Sequence, residues 1–338
     1  MEQESTLNKR IPLPLKILGL GSYLPGRVVT NNELETKYGL ENQWCENHLG
    51  IRERHWAEEE RPSQMGAAAA REAIANAGME SEDIDLIINA SVTTSLERVI
   101  PEGAALIQQQ LGIEDSGIPC FTMQNNCLSF MMALDTSAAL LNSGRYQNIL
   151  IVSAEIFSSN LDFTNPGVFG FYGDAAGAAV VTLPQQEESS AIINALFATY
   201  GHGVTYLQSK IGMTMLQDKE LTPADLTLQM DTDSVIEYGN RCTENLISKL
   251  FENDESVVNN IKLVVSQHFG KNFPGLSKLP LPRDRFISII KEYGFCGAAT
   301  IPLSLYEAVK QARLQRGDLT LLLGQGAGLS MGGLVMHF

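Results

Sequence analysis

Residues 120–144 read CFTMQNNCLSFMMALDTSAALLNSG, and the segment that follows Cys127 decides the fold. Apolar residues fall on nearly every face of one helix there: Leu128, Phe130, Met131, Met132, Leu134, Ala138 and Leu140. A helix that is apolar all round is buried between other layers. Asn125 and Asn126 are good N-cap residues, and Gly144 supplies a stop. The pattern predicts a central helix with Cys127 on its first turn. Free N–H groups and the helix dipole favour a thiolate at that position and lower its pKa. Most free cysteines simply pack, so a nucleophilic role for Cys127 needs support from the rest of the chain.

Outward from this helix, Gly and Pro punctuate short apolar runs. LKILGLGSYLP reads as a strand and turn. SQMGAAAAREAIANAGM reads as a helix capped by Ser63 and ended by Gly78. DIDLIINASVTTS and YQNILIVSAEIFS are strands of the fully buried kind. PEGAALIQQQLGI is a helix with Pro101 near its first turn. The second half repeats the rhythm: DSVIEYGNRCTENLISKLFEN is a helix, IKLVVSQHFG a strand, IPLSLYEAVKQARLQ a helix, and DLTLLLGQGAGLSMGGLVMHF a closing hairpin. Strands that alternate with helices imply a layered α/β architecture. The polar stretch PQQEESS divides the chain into two halves, 1–186 and 187–338.

Charge and cysteine usage narrow the class. The formal charge of -15 opposes nucleic-acid binding, which needs a basic surface. The five cysteines include no C-x-x-C pair, which argues against a disulfide framework or a zinc site. No apolar run reaches membrane-spanning length, and MEQESTLNKR lacks the apolar stretch of a signal peptide; a cytoplasmic protein without membrane association is expected. Gly324, Gly326 and Gly328 form a G-x-G-x-G without a following helix and Lys-Ser/Thr, so a phosphate loop is excluded. Cys296 reads as packing, and GDAAGAAVV as turn formation and close packing.

A nucleophilic cysteine wants a base. Of five histidines, His55 sits among charges in RERHWAEEE and His337 is at the extreme C-terminus. His268 ends the apolar strand IKLVV, and sites in α/β sheets gather at the C-terminal ends of strands. It is the best partner for Cys127.

Eight segments together carry a resemblance: GLGSYLPGRVVTNNEL, WCENHLGIRERHWA, PEGAALIQQQLGI, NNCLSFMMAL, FYGDAAGAAVV, SQHFGKNF, YGFCGAATIPLSLYEAV and GQGAGLSMGGLVM. In this order, from about residue 14 to 338, the chain resembles the thiolase-fold condensing enzymes of the ketoacyl-acyl-carrier-protein synthase III type. The resemblance implies a five-layered αβαβα fold of two related halves, the first carrying the cysteine and the second the histidine, and a homodimer, with a heterodimer as the alternative. It makes Cys127 the acyl-accepting nucleophile and His268 the catalytic histidine. It implies an oxyanion hole from the backbone N–H of Cys127 and one in the loop Ala327–Leu329, at Gly328. Cys120 falls to packing or the dimer interface.

The same resemblance exposes departures. Phe295 stands in YGF where the family has a catalytic asparagine, and losing one preorganised donor costs about 10²–10³ in rate. His48 takes the place of a coenzyme-binding arginine, while Trp44 is kept for stacking on an adenine. Basic positions that dock the carrier protein are replaced by Phe273 and Glu237, with Lys271, Arg283 and Arg285 as candidate substitutes; Asn272 is the candidate amide near His268. The activity implied is formation of an acyl thioester on Cys127 and its transfer to an activated acceptor. Claisen-type carbon–carbon bond formation without malonyl decarboxylation is expected, in specialised or fatty-acid-derived metabolism. The substrates are acyl-CoA or acyl-carrier-protein thioesters, with no resident cofactor or metal. An ordinary decarboxylating synthase of fatty-acid initiation, an O- or N-acyltransferase, and a structural partner subunit of a ketosynthase heterodimer stay open.

Overall fold

The computed structural model describes residues 11–93, 97–98, 100–209, 225, 227–251, 255–267, 276 and 279–338. His268, Lys271, Asn272 and Phe273 lie outside the described residues.

Two sheets carry the fold, and they are built alike. The first has the order β2 (Lys16–Tyr23), β8 (Ala175–Thr182), β7 (Asn148–Glu155), β5 (Leu86–Asn89), β6 (Cys120–Thr122). Its first two pairings are antiparallel and its last two parallel. The second has β1 (Leu13–Pro14) on its edge, then β9 (Ala191–Thr199), β15 (Ser330–His337), β14 (Leu319–Gly326), β12 (Leu263–Ser266) and β13 (Phe286–Ile287). From β9 onward the same sequence of pairings recurs: two antiparallel, then two parallel. The two halves are one topology used twice. The first sheet falls within residues 16–182, while β1 crosses over to the second. Two hairpin pairs stand apart: β3 (Arg27–Thr30) with β4 (Glu53–Trp56), and β10 (Leu207–Gln208) with β11 (Gln229–Met230).

Alternation along the strands sets the layers, because successive side chains leave opposite faces. Leu86, Ile88, Ile149 and Ile151 point inward with Leu263, Val265, Leu322 and Leu334 of the other sheet. Between them lie helices Ser129–Asn142 and Thr300–Lys310, through Phe130, Leu134, Ile301 and Leu305. Ile87, Leu150 and Val152 point outward against helices Pro62–Asn76 and Gly103–Leu111. Val264, Leu321 and Leu323 pack outward on helix Thr232–Leu250. The order is therefore helix, sheet, helix, sheet, helix, the five layers expected. The alanine-rich helix is explained by Gly21: a Cβ there would lie 2.1 Å from the carbonyl oxygen of Ala69. Small residues on both sides let helix backbone meet strand backbone.

Helix starts differ from the sequence expectation. The alanine-rich helix begins at Pro62, which needs no N–H donor in the first turn. Ser63 is inside it, and its N–H and hydroxyl both donate to Glu97, at 3.0 and 2.9 Å. The central helix begins at Ser129, not at Cys127, and neither asparagine caps it. Cys120 is half-buried on β6, at the edge of its sheet. No helix among the described residues is long and apolar enough to cross a membrane.

Candidate active site

Cys127 sits on a tight turn between β6 and the central helix. Asn126 takes a left-handed conformation, with φ of 49°, a region that residues with a Cβ enter at some cost. Four hydrogen bonds hold the turn. Leu128 N donates to Asn125 O at 3.1 Å and Ser129 N to Asn126 O at 3.0 Å. The Ser129 hydroxyl donates to Asn126 O at 2.6 Å and accepts from Asn125 N at 2.9 Å. The result carries Cys127 out of the helix while its own carbonyl stays on the core side.

Cys127 is only 6 % exposed and lines a cavity that is open to solvent. Leu49, Phe171, Leu207, Met230, Val235 and Leu329 make most of the wall. Phe295 belongs to the same cavity, so the sequence-predicted pair of Cys127 and Phe295 does come together. Phe295 is held on both sides of its backbone: its N–H donates to Phe171 O at 2.8 Å, and its carbonyl accepts from Gly173 N at 3.1 Å. Its ring stacks on Phe171, with centroids 5.2 Å apart, and meets Tyr172 edge-on at 5.5 Å. The phenyl ring itself carries no hydrogen-bond donor.

The environment works against a free thiolate. Burial pushes the Cys127 thiol up to about 12, and the carboxylate of Glu155 adds to the shift. Its own backbone N–H acts in the opposite sense, but less strongly. The expected lowering of its pKa by the helix is thus overturned. Cys127 precedes the helix by two residues, and desolvation of the anion outweighs the remaining dipole. Glu155 ends β7 fully buried and accepts from Val92 N at 2.9 Å and Thr93 N at 3.0 Å. Burial still raises it to about 8. A thiol this basic requires a partner that takes its proton.

Gln267, the residue before His268, is fully buried and ties the site together. Its Nε2 donates to the carbonyl of Cys127 and, at 3.4 Å, to Gly297 O; its Oε1 accepts from Gln325 N at 2.9 Å. The Cys127 turn, the end of β14 and the Gly297 turn therefore share one amide. The glycine-rich loop approaches Cys127 at Gly326, where a Cβ would lie 3.4 Å from Cys127 N. A Cβ on Gly328, the position that the resemblance implied, would lie 3.1 Å from Ser330 Oγ and 3.7 Å from Thr199 Cγ2.

Trp44 and His48 share helix Trp44–Leu49. Their rings stack with centroids 4.6 Å apart, and His48 Nδ1 is 2.9 Å from Trp44 O. His48 is exposed and Trp44 half-buried, while Leu49 of the same helix reaches the cavity wall. The two aromatic residues thus stand at the rim, with one indole face already taken by the imidazole. The Arg285 guanidinium donates to Asn259 O at 2.9 Å and Ile261 O at 2.8 Å, so it braces the fold; Arg283 and Glu237 are exposed. Glu155, Gln267 and Gln325 were not singled out in the sequence. The available signal was a polar residue at the end of each of three apolar strands.

A doubled sheet topology around a buried cysteine at the head of a central helix defines a thiolase fold. Residues 121–201 match the family profile described as 3-oxoacyl-[acyl-carrier-protein (ACP)] synthase III, and residues 251–338 match the profile of its C-terminal part. The chain is 30 % identical over 326 residues to the β-ketoacyl-[acyl-carrier-protein] synthase III of Neisseria gonorrhoeae, covering 96 % of this chain and 99 % of that one. The crystal structure of 3-oxoacyl-[acyl-carrier-protein] synthase III from Aquifex aeolicus superposes with a TM-score of 0.85 at 30 % identity, over 96 % of this chain and 100 % of that one. A priming β-ketosynthase of a polyketide biosynthetic pathway superposes at 0.84 with 25 % identity, over 97 % of each chain. The chain belongs to the 3-oxoacyl-[acyl-carrier-protein] synthase III family.

Proposed function

We propose that this protein is a condensing enzyme that takes an acyl group from an acyl-CoA or acyl-carrier-protein thioester onto Cys127 and passes it to a carbon acceptor. The observation that carries this reading is Cys127 itself, on a left-handed turn in the wall of an apolar cavity. The Cys127 sulfur attacks the thioester carbonyl, a new C–S bond forms, and the donor thiolate leaves. His268 takes the thiol proton, which matters for a thiol raised by burial. The backbone N–H of Cys127 and the loop at Gly326 face the developing oxyanion. In the second step an acceptor carbanion attacks the acyl carbonyl, the C–C bond forms, and the Cys127 thiolate is released.

Phe295 shapes the second step. Its phenyl ring offers no donor to an enolate formed by loss of carbon dioxide, so the acceptor arrives already activated rather than by decarboxylation of malonyl. The product falls in fatty-acid or polyketide-type biosynthesis. A retained Cys127 favours an active subunit over an inactive partner in a heterodimer, and a homodimer is the working assembly.

Intact-mass measurement after mixing with acyl-CoA and acyl-carrier-protein donors of several chain lengths tests the reading. A single acyl adduct lost in Cys127→Ala is expected; absence of any adduct sinks it. Carbon dioxide release from malonyl-carrier protein at ordinary rates would restore the decarboxylating alternative.

A further inference from the structure

Gln325 is the penultimate residue of β14 and faces away from its neighbours. Gly324 and Gly326 look toward the nucleophile turn: a Cβ on Gly324 would lie 2.7 Å from Leu128 Cδ2, and one on Gly326 3.4 Å from Cys127 N. Gln325 faces helix Thr232–Leu250 instead, where a Cβ on Gly239 would lie 2.5 Å from its Oε1. Glycine inside a helix is unfavourable. Here it makes the room that the carboxamide occupies.

Gln325 is 8 % exposed, its backbone N–H is tied to Gln267, and its side chain makes no hydrogen bond among the described residues. Gln325 lines the cavity that holds Cys127, and it is the only side-chain amide in that wall among the described residues. Around it stand Phe171, Met230, Val235, Ile236 and Phe295. With Thr232 and Tyr172 it is one of the few polar side chains in a mostly apolar wall, and such groups fix the orientation of a ligand.

We propose that Gln325 is a substrate-contacting residue: its carboxamide N–H donates to the carbonyl oxygen of the acceptor thioester, a contact that the Phe295 ring cannot make. This rests on the functional reading above and adds to it the acceptor class, a thioester whose carbonyl carries the enolate charge. The amide and the Cys127 thiol line one cavity, which is what lets a single acceptor reach both. Gln325 also borders a smaller cavity with Asn240, Thr243 and Ser266, which is the competing destination for the amide.

The test uses the whole protein and Gln325→Met, which keeps the length and removes the amide. Acylation of Cys127, read by intact mass, is expected to stay within about twofold, while transfer of the preformed acyl group falls about 10²–10³-fold. The urea midpoint is expected to stay level or rise, since replacing an unpaired amide by an apolar group of similar shape is neutral or favourable. Unchanged transfer, or equal loss in both half-reactions, overturns the proposal and assigns the amide to the smaller cavity. A second arm stands apart from turnover: binding of an acetonyl pantetheine ketone against the analogue with methylene in place of the carbonyl. The wild-type protein should prefer the ketone by roughly threefold to tenfold, one neutral hydrogen bond, and Gln325→Met should lose that preference. If Cys127 takes no acyl group but the preference holds, the functional reading fails and the Gln325 contact survives. If the wild-type protein shows no preference, the contact itself is overturned.

Discussion

Cys127 and Glu155 set each other's protonation. Both are buried, both would be anions if ionised, and like charges in a low-dielectric site disfavour one another. The thiol gives way first, because its neutral form needs no strong partner while Glu155 accepts two backbone N–H groups. Alkylation of Cys127 by iodoacetamide in the free protein should therefore climb about tenfold per pH unit up to at least pH 10, with no plateau between pH 7 and 9. Glu155→Gln removes the nearby charge and should speed alkylation at pH 9. A plateau near pH 7 in the wild-type protein would show the thiolate to be stabilised after all. The sequence marked Cys127 as special through its neighbours, Asn125, Asn126 and the apolar run. It did not reveal Glu155, which lies 28 residues further on and meets Cys127 only because β7 ends beside the central helix.

At the scale of elements, the site is a junction of chain segments held by one side chain. Gln267 at the end of β12 gives its donors to the Cys127 turn and the Gly297 turn, and its acceptor to Gln325 on β14. Gln267→Met would take the partner from the Cys127 carbonyl and the Gln325 N–H, at about 1–3 kcal/mol for each group, and would also lose the long contact to Gly297 O. A loss of about 2–4 kcal/mol in urea unfolding is expected. Activity should fall in both half-reactions, because Cys127 and the loop at Gly326 lose their common tether. That pattern differs from Gln325→Met, which touches only the second step. Unaltered stability in Gln267→Met would show that the tether is dispensable. Element identity was largely legible: the helices at 62–76, 103–111, 129–142, 232–250 and 300–310 all follow apolar runs. Their first residues were not. Ser63 looked like a cap but bonds Glu97, 34 positions away, and Asn126 looked like a cap but takes a left-handed turn. Tertiary hydrogen bonds decided both, and local propensity contains no trace of them.

Across the whole molecule, the repeated topology places a buried carboxyl at the end of a central strand. Glu155 and Asp174 both lie in the first half, near the cavity, and burial raises both, to about 8 and about 6. Unfolded carboxyls ionise near about 4. Between about pH 4 and pH 8 the native state therefore holds more protons than the unfolded chain, and the slope of unfolding free energy with pH is negative. The stabilising contribution of these groups is complete below about pH 4 and is lost as pH rises through 6 for Asp174 and 8 for Glu155. A net charge of -15 pushes in the same direction, since self-repulsion grows as acids ionise. Urea unfolding at pH 5.5, 7 and 8.5 should give falling stability across the series. Glu155→Gln should shrink both drops, because Glu155 holds its extra native proton throughout this range up to pH 8; the variant keeps only the share of Asp174 between 5.5 and 7 and little between 7 and 8.5. A rising stability across this range, or an equal upper drop in the variant, would mean that Glu155 is already ionised in the fold. In that case Cys127 would face a fixed negative charge at every working pH, and removal of its proton would have to overcome that charge each time.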